Sequence, residues 1–200
     1  MGDSHYYSAS PSGKRRPGTV GLRVGDLEVE LTTDRGVFAA DEVDWGTRYL
    51  LAEASRPPQN GALLDLGCGY GPIAVALSLW APQAPLWAID VNSRALELCR
   101  ANLDRHGRPD ATVCHPDEVP PDVRFAAIYS NPPIRIGKAA LHEVLANWLG
   151  RLADEGQAYL VVNKNLGSDS LARWLNQQGW PTTRLSSRRG YRILEVQPQT

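Results

Sequence analysis

The 200-residue chain contains three cysteines and no long apolar run. Cys68, Cys99 and Cys114 are odd in number and lack the spacing of metal ligands, which predicts reduced thiols and neither a disulfide framework nor a metal site. No stretch has the pattern of a signal peptide, and none is long and apolar enough to cross a membrane. We therefore expect a cytoplasmic protein with no membrane partner and no metal.

An excess of charge of either sign is also missing. The chain has 21 basic and 22 acidic side chains, and its formal net charge is −1. This balance excludes a protein that binds polyanions through its overall charge. A nucleic-acid interface would have to rest on local basic patches.

The order of the sequence patterns predicts one domain behind a short arm. Residues 1–18, rich in Ser, Gly, Pro and basic residues, are predicted to form an N-terminal arm, and residues 19–200 a single domain. Apolar residues alternate on both sides of Gly25-Asp26, which predicts an N-terminal β-hairpin. From residue 60 to residue 179 strand and helix patterns alternate, and two consecutive strands close the chain. The predicted fold is therefore α/β, with a Rossmann-like, doubly wound, mainly parallel seven-stranded sheet that ends in an antiparallel hairpin.

The individual elements follow from periodicity and from capping residues. Predicted strands cover 62–66, 85–90, 111–114, 125–130 and 157–163. Predicted helices begin at Gly46 or Thr47, at Pro72, at Asn92 or Ser93, at Lys138, and at Ser168 as the cap of the last one. In a sheet of this kind, ligands bind beyond the carboxyl ends of the strands.

A glycine-rich turn, "DLGCGYGP", follows the first strand of the alternating region. Its glycines are Gly67, Gly69 and Gly71, and Asp90 ends the next strand. Glycines let the backbone approach a ligand, and an acid at this distance can hold both ribose hydroxyls, which predicts an adenosine-containing ligand. Pro72 removes a donor at the start of the helix, and the spacing is not GxGxxG. Both features disfavour the pyrophosphate of a nicotinamide cofactor, and with it an oxidoreductase.

"DLGCGYG" resembles the nucleotide-binding turn of class I S-adenosylmethionine-dependent methyltransferases, whose sheet also ends in a reversed hairpin. "NPP" at 131–133, after the fourth strand, resembles the NPP(Y/F) motif of the class I enzymes that methylate planar nitrogens. That likeness implies catalysis by Asn131, Pro132 and Pro133. The Asn131 side-chain oxygen and the Pro132 carbonyl would accept hydrogen bonds from a nitrogen whose lone pair is delocalised, and the two prolines would hold them in place.

Further segments narrow the resemblance. "HYYS", "DRGVFAADEVDWGTRYLL" and "RGYRI" resemble the small-subunit ribosomal RNA guanine-N2 methyltransferase group, from about residue 5 to residue 196. Bacterial full-length members also carry a duplicated, inactive N-terminal half, whereas this chain has a single catalytic domain and Ile134 in place of the aromatic residue after NPP. The residues implied in cofactor binding are Phe38, Gly46, Thr47, Asp65, Gly67, Cys68, Gly69, Gly71, Asp90, Val91, His115 and Asn131. Those implied in substrate binding are Tyr6, Tyr7, Ile134, Arg135, Lys138, Lys164, Arg188 and Arg189.

The predicted function is S-adenosylmethionine-dependent N-methylation of an exocyclic amine, guanine N2, in ribosomal RNA or the small subunit. The basic residues of the predicted rim, with Arg15 and Arg16 in the arm, would contact phosphates. Three alternatives stay open. NPP also serves methylation of a protein glutamine amide or of adenine N6, and a methyltransferase fold can act as a non-catalytic RNA-binding module.

Overall fold

The structure is a computed structural model that describes residues 17–34, 37–133 and 136–199. A two-stranded hairpin comes first, formed by β1 (Gly18–Val24) and β2 (Leu27–Thr33). The later strands are β3 (Ala62–Leu66), β4 (Leu86–Ile89), β5 (Thr112–Cys114), β6 (Phe125–Ser130), β7 (Leu152–Asn163), β8 (Thr182–Arg188) and β9 (Tyr191–Val196). The helices are α1 (Trp45–Glu53), α2 (Pro72–Trp80), α3 (Ser93–Arg105), α4 (Lys138–Leu149) and α5 (Ser168–Gln177).

The main sheet has seven strands in the order β5-β4-β3-β6-β7-β9-β8. Strands β3 to β7 pair in parallel, and β9 runs antiparallel to both β7 and β8. The carboxyl ends of β3, β4, β6 and β7 therefore meet at one edge, and the turn between β8 and β9 lies at that same edge. This topology confirms the predicted fold class.

Two apolar layers cover the sheet, as expected for a doubly wound fold. One layer packs the N-terminal hairpin, α1, α2 and α3 against one face. The other packs α4 and α5 against the opposite face. Strand β3 is buried on both sides, which explains its nearly continuous apolar sequence.

Within the described ranges, no helix combines the length and apolar character that crossing a bilayer requires.

Helix α1 begins at Trp45 and not at Gly46 or Thr47. Two further predicted boundaries are wrong for local reasons. Helix α5 is capped by Gly167, with φ at 99°, and not by Ser168, which is its first residue and whose buried hydroxyl makes no cap bond. Strand β7 begins at Leu152 and not at 157. Its pairing with β6 shifts register between Leu152 and Gln157. Gly156 lies in this shifted stretch, where a Cβ atom would lie 2.7 Å from the Phe125 carbonyl oxygen. The sequence pattern of a flat strand does not reveal this irregular pairing.

The single domain predicted for 19–200 and the arm predicted for 1–18 stay predictions. Nearly all of the arm lies outside the described residues.

Candidate active site

A cavity of about 590 Å³ opens at the carboxyl edge of the sheet, where β3, β4 and β6 end. Segments that are far apart in the sequence form its walls: the loop before α1, the glycine turn, the end of β4, the NPP segment and one face of α4. Ten predicted residues line it: Phe38, Thr47, Gly67, Cys68, Gly69, Asp90, Val91, Asn131, Pro132 and Pro133. The fold thus brings the glycine turn and the NPP segment to one cavity, as the sequence predicts.

The glycine turn leaves space for a ligand. Gly67 and Gly69 have φ values of 77° and 56°, and a Cβ atom built on either would meet no atom within 4 Å. The backbone N–H groups of Gly67 and Cys68 donate to the Ile89 carbonyl oxygen, both at 2.9 Å, which anchors the turn to β4. Bare backbone therefore borders open space at the place where a cofactor would contact the turn.

Gly71 serves packing and does not line the cavity. A Cβ atom there would lie 2.8 Å from the Cys99 sulfur, so the glycine allows α2 to approach α3. Its φ of 93° also gives α2 the left-handed cap that precedes Pro72. We infer that a side chain at this position would push the two helices apart.

Asp90 directly follows β4, and its carboxylate lies in the cavity wall. Its Oδ2 accepts a hydrogen bond from the Gly69 N–H and its Oδ1 one from the Asn92 N–H, each at 2.9 Å. Burial raises the pKa of this carboxyl, and the backbone donors partly oppose that shift. The backbone N–H of Val91 is a third donor to this carboxyl. A carboxylate has about four acceptor sites on its two oxygens, so Asp90 can also accept a hydroxyl group, such as one of a ribose.

Asp65 lies beneath the turn and does not line the cavity. Its Oδ2 accepts a hydrogen bond from the Ala74 N–H at 2.8 Å, and its Oδ1 has no partner among the described residues. Complete burial raises its pKa to about 8. The carboxyl is therefore mostly protonated at pH 7, in a supporting position. Burial also raises the pKa of the neighbouring Cys68 thiol, which argues against a nucleophilic role.

Asn131 is held at its amide nitrogen. Its Nδ2 donates to Asp44 Oδ2 at 3.0 Å and to Thr47 Oγ1 at 3.1 Å. Asp44 Oδ2 also accepts the Thr47 N–H at 3.2 Å and so caps α1. Both N–H groups of the amide are thus used, and no described residue donates to its oxygen. The arrangement leaves Oδ1 as an acceptor for a group in the cavity.

The end of β6 is fixed to β3 beside Asn131. Ser130 is fully buried, and its hydroxyl donates to the Leu66 carbonyl oxygen at 2.6 Å. Pro132 and Pro133 follow without N–H groups of their own. The NPP segment is therefore anchored on one side by β3 and on the other by the first turn of α1.

Other predicted residues lie elsewhere. Gly46 packs α1 against β9, since a Cβ atom there would lie 2.9 Å from the Tyr191 ring. His115 bonds to Asp117 through its ring, and the next residue, Pro116, lines the cavity in its place. Lys138 is exposed at the start of α4. Lys164, Arg188 and Arg189 line a second cavity at the β8–β9 turn. Tyr6, Tyr7, Arg15, Arg16, Ile134 and Arg135 lie outside the described residues.

Sequence reasoning missed several residues that line the cavity. Asp44 could have been predicted as a helix N-cap, because an aspartate directly before a helix pattern commonly accepts the N–H of the residue three positions later, here Thr47. Glu143, Val144, Asn147 and Trp148 share one face of α4, but nothing in their sequence shows which face meets the cavity. Tyr70 also lines it, with a buried hydroxyl that has no partner among the described residues.

In the described part of the chain, no group of three or more His, Cys, Asp or Glu could hold a metal ion.

The sheet has a glycine turn after β3, an acid directly after β4 and the NPP segment after β6. Together with the strand order, these features define the class I methyltransferase fold. The sequence model of the methyltransferase small domain family matches residues 28–195, and the chain belongs to this family. The family confirms the prediction of an enzyme of the methyltransferase class.

Relatives of two kinds resemble the chain. It is 33% identical over 195 residues to the uncharacterized protein YbxB of Bacillus subtilis, covering 96% of this chain and 97% of that protein. It is 33% identical over 147 residues to ribosomal RNA small subunit methyltransferase C of Aeromonas hydrophila, covering 70% of this chain and 42% of that protein. The chain thus spans nearly all of the first relative but less than half of the second.

A solved structure shares the fold. The T. thermophilus 16S rRNA N2 G1207 methyltransferase, in complex with AdoMet and guanosine, superposes with a TM-score of 0.78 at 23% identity. The match covers 92% of this chain and 51% of that one.

Proposed function

We propose that the protein is an S-adenosylmethionine-dependent N-methyltransferase that modifies guanine N2 of ribosomal RNA. One observation carries the reaction type: the Asn131 amide is held through its nitrogen, which leaves its oxygen as an acceptor in the cavity. The relatives that are named as small-subunit ribosomal RNA methyltransferases, and the structural neighbour named for guanine N2, support the substrate.

The residues of the cavity fit S-adenosylmethionine. The predicted cofactor agrees with the methyltransferase family, and the bare glycine backbone and the two acceptor oxygens of Asp90 suit an adenosine. Phe38 and Val91, which are 48% and 41% exposed, offer apolar surface at the cavity. When bound, S-adenosylmethionine supplies a sulfonium methyl group that accepts the lone pair of a nucleophile as its S–C bond breaks.

The chain's own contribution to chemistry is to free that lone pair. An exocyclic amine donates its lone pair into the ring and is a poor nucleophile. Asn131 Oδ1 and the Pro132 carbonyl oxygen would accept its two N–H groups and favour the pyramidal nitrogen that reacts. Positive charge develops on the nitrogen during transfer, so these bonds strengthen in the transition state and lower the barrier. The methylated nitrogen then releases one proton to water, and the donor leaves as a neutral thioether.

Two further acids, the buried Asp65 and the half-buried Asp44, leave the Asn131 oxygen free to accept from the substrate. Asp65 is mostly protonated at pH 7, because burial raises its pKa to about 8, and it makes no contact with the NPP segment among its recorded hydrogen bonds. Asp44 points its carboxylate at the nitrogen of Asn131, not at its oxygen. The acceptor that faces the substrate is therefore a neutral amide oxygen whose direction a charged group maintains.

We also propose a compartment for the reaction and a form of RNA as its substrate. A ribosomal RNA substrate places the enzyme in the cytoplasm, and the free state of Cys68, Cys99 and Cys114 is compatible with that compartment. The target base would have to leave its stack to reach the cavity, so an RNA loop or an unpaired strand is the expected form of the substrate.

The test is methyl transfer from labelled S-adenosylmethionine to naked ribosomal RNA, to isolated ribosomal subunits and to protein extract. Nucleoside analysis of the labelled RNA should yield N2-methylguanosine, and Asn131→Ala should slow its formation about a hundredfold or more while donor binding persists. Label in N6-methyladenosine, or in protein glutamine, would replace the proposed substrate. No label in any fraction, from a protein that binds the donor, would favour a non-catalytic module.

A further inference from the structure

A second cavity, also of about 590 Å³, lies at the β8–β9 turn and is strongly basic. Five cationic side chains line it: Lys164, Arg184, Arg188, Arg189 and Arg192. Among the described residues, no acidic side chain lines it. We call this cavity the hairpin groove. The protein as a whole carries a net charge of −1, so the concentration of cations here is a local feature.

The cations of the hairpin groove are available to an outside partner. Arg192 forms an ion pair with Asp169 and is only 12% exposed. The other four are exposed, and none forms an ion pair with a described acidic residue. Four unpaired positive charges in one concave surface match a partner with regularly spaced negative charges.

The hairpin turn presents an arginine where glycine or asparagine is usual. Arg189 has a φ of 47° and Gly190 one of 80°, and both values lie in the left-handed region of a tight hairpin turn. That conformation is unfavourable for an arginine backbone. The guanidinium of Arg189 lies over the Trp45 ring, 5.6 Å from its centroid, which orients the side chain.

The hairpin groove is also joined to the candidate active site. Tyr191 lines the groove and packs on Trp45, with ring centroids 5.3 Å apart. Trp45 begins α1, directly after Asp44, which binds the amide of Asn131. The first turn of α1 therefore lies between Asn131 and the hairpin groove. A polymer with one unit bound at Asn131 could contact the groove with a neighbouring unit.

We propose that the hairpin groove binds the phosphate backbone of the RNA next to the nucleotide that enters the active-site cavity. This inference rests on the proposed function for its choice of partner. Charged residues on an edge strand also prevent sheets from joining, which accounts for Arg184 and Arg188. That role does not account for Lys164, which follows β7, or for the arginine at the turn.

The experiment measures binding of a fluorescein-labelled, 12-nucleotide single-stranded RNA by anisotropy at several salt concentrations. Each phosphate contact to a single strand contributes about 0.7 to the slope of log K against log salt. Arg188→Ala with Arg189→Ala should therefore lower the slope by about 1.4 and weaken binding about 25-fold at 0.1 M salt. Replacing both by lysine should retain most of the slope.

A matched control removes the same charge elsewhere. Arg23 lies in β1 and Arg124 precedes β6, at the amino edge of the sheet, and both are exposed. Their double alanine variant should bind RNA like the wild type. An equal loss in both double variants, or an unchanged slope in the groove variant, would overturn the proposal. The same anisotropy measurement with labelled polyglutamate tests an acidic protein as the partner. If the groove variant loses polyglutamate binding but keeps RNA binding, the proposal is also overturned.

A kinetic measurement separates this inference from the proposed function. The groove variant should raise KM for RNA while S-adenosylmethionine affinity and the rate at saturating RNA stay near wild type. If the wild type binds RNA through the groove but transfers no methyl group, the proposed function fails and the groove stands. If methyl transfer to RNA is intact and the groove variant matches the wild type in KM, the groove inference fails alone.

Discussion

Replacing Asp44 separates two roles that its Oδ2 atom combines. That atom accepts the Thr47 N–H at 3.2 Å, which caps α1, and the Asn131 Nδ2 at 3.0 Å, which orients the proposed acceptor amide. Serine at position 44 can still cap the helix but is too short to reach Asn131 as well. Asparagine keeps both the length and an acceptor oxygen.

The magnitudes follow from these contacts. A hydrogen bond to a charged group contributes about 1.5–3 kcal/mol. If the Asp44–Asn131 bond acts only by orienting the amide in the transition state, its loss should slow methyl transfer about 10- to 100-fold, at about 1.4 kcal/mol per tenfold. Loss of an N-cap costs about 1 kcal/mol, and a 200-residue protein then loses about 2–4 °C in Tm.

The assay is single-turnover methyl transfer, with donor affinity and thermal unfolding recorded for each variant. We expect Asp44→Ala to lose both stability and rate. Asp44→Ser should lose rate with nearly unchanged Tm, and Asp44→Asn should stay within about tenfold of the wild-type rate because a neutral acceptor retains part of a charged bond. A wild-type rate in Asp44→Ser, or a loss explained by weaker donor binding, would refute the positioning role.

Four further outcomes test the site. Asn131→Ala should cut single-turnover methyl transfer about a hundredfold or more, since it removes a preorganised acceptor. Asn131→Asp should keep partial activity. Donor affinity, measured by calorimetry, should barely change in either variant. Asp90→Ala should weaken S-adenosylmethionine binding by calorimetry and also loosen the glycine turn, because Asp90 Oδ2 holds the Gly69 N–H; unchanged affinity would contradict the ribose role. Asp65, with a folded pKa of about 8 against an ordinary 3.8, holds a proton that the unfolded chain releases, so stability should fall as pH rises from about 4 to about 8. Asp65→Asn should flatten that decline in urea unfolding, only in part because burial also raises the pKa of Asp90, and an unchanged slope would show that Asp65 is ionised in the folded protein. Arg189→Asn should raise the free energy of unfolding by about 1 kcal/mol, because asparagine tolerates the left-handed turn better, and at the same time weaken RNA binding. A stabilised variant with wild-type RNA affinity would show that Arg189 does not bind RNA.

Local chemistry determined much of this protein. The alternation of apolar strands and amphipathic helices from residue 60 onward predicted the order of elements, because side-chain periodicity differs between strand and helix. Three closely spaced glycines predicted the turn after β3, and two prolines without N–H groups predicted the end of β6. Since the carboxyl ends of parallel strands share an edge, these motifs also predicted one common site.

Only the tertiary structure decided what each side chain does there. Asp44 and Asn131 are 87 residues apart in sequence, and their hydrogen bond exists only because α1 packs beside the end of β6. Gly71 and Gly69 belong to one motif, but the approach of α3 makes the first a packing residue and leaves the second beside open space. The pKa of Asp65 depends on its complete burial, and burial is a property of the assembled layers, which no single stretch of sequence specifies.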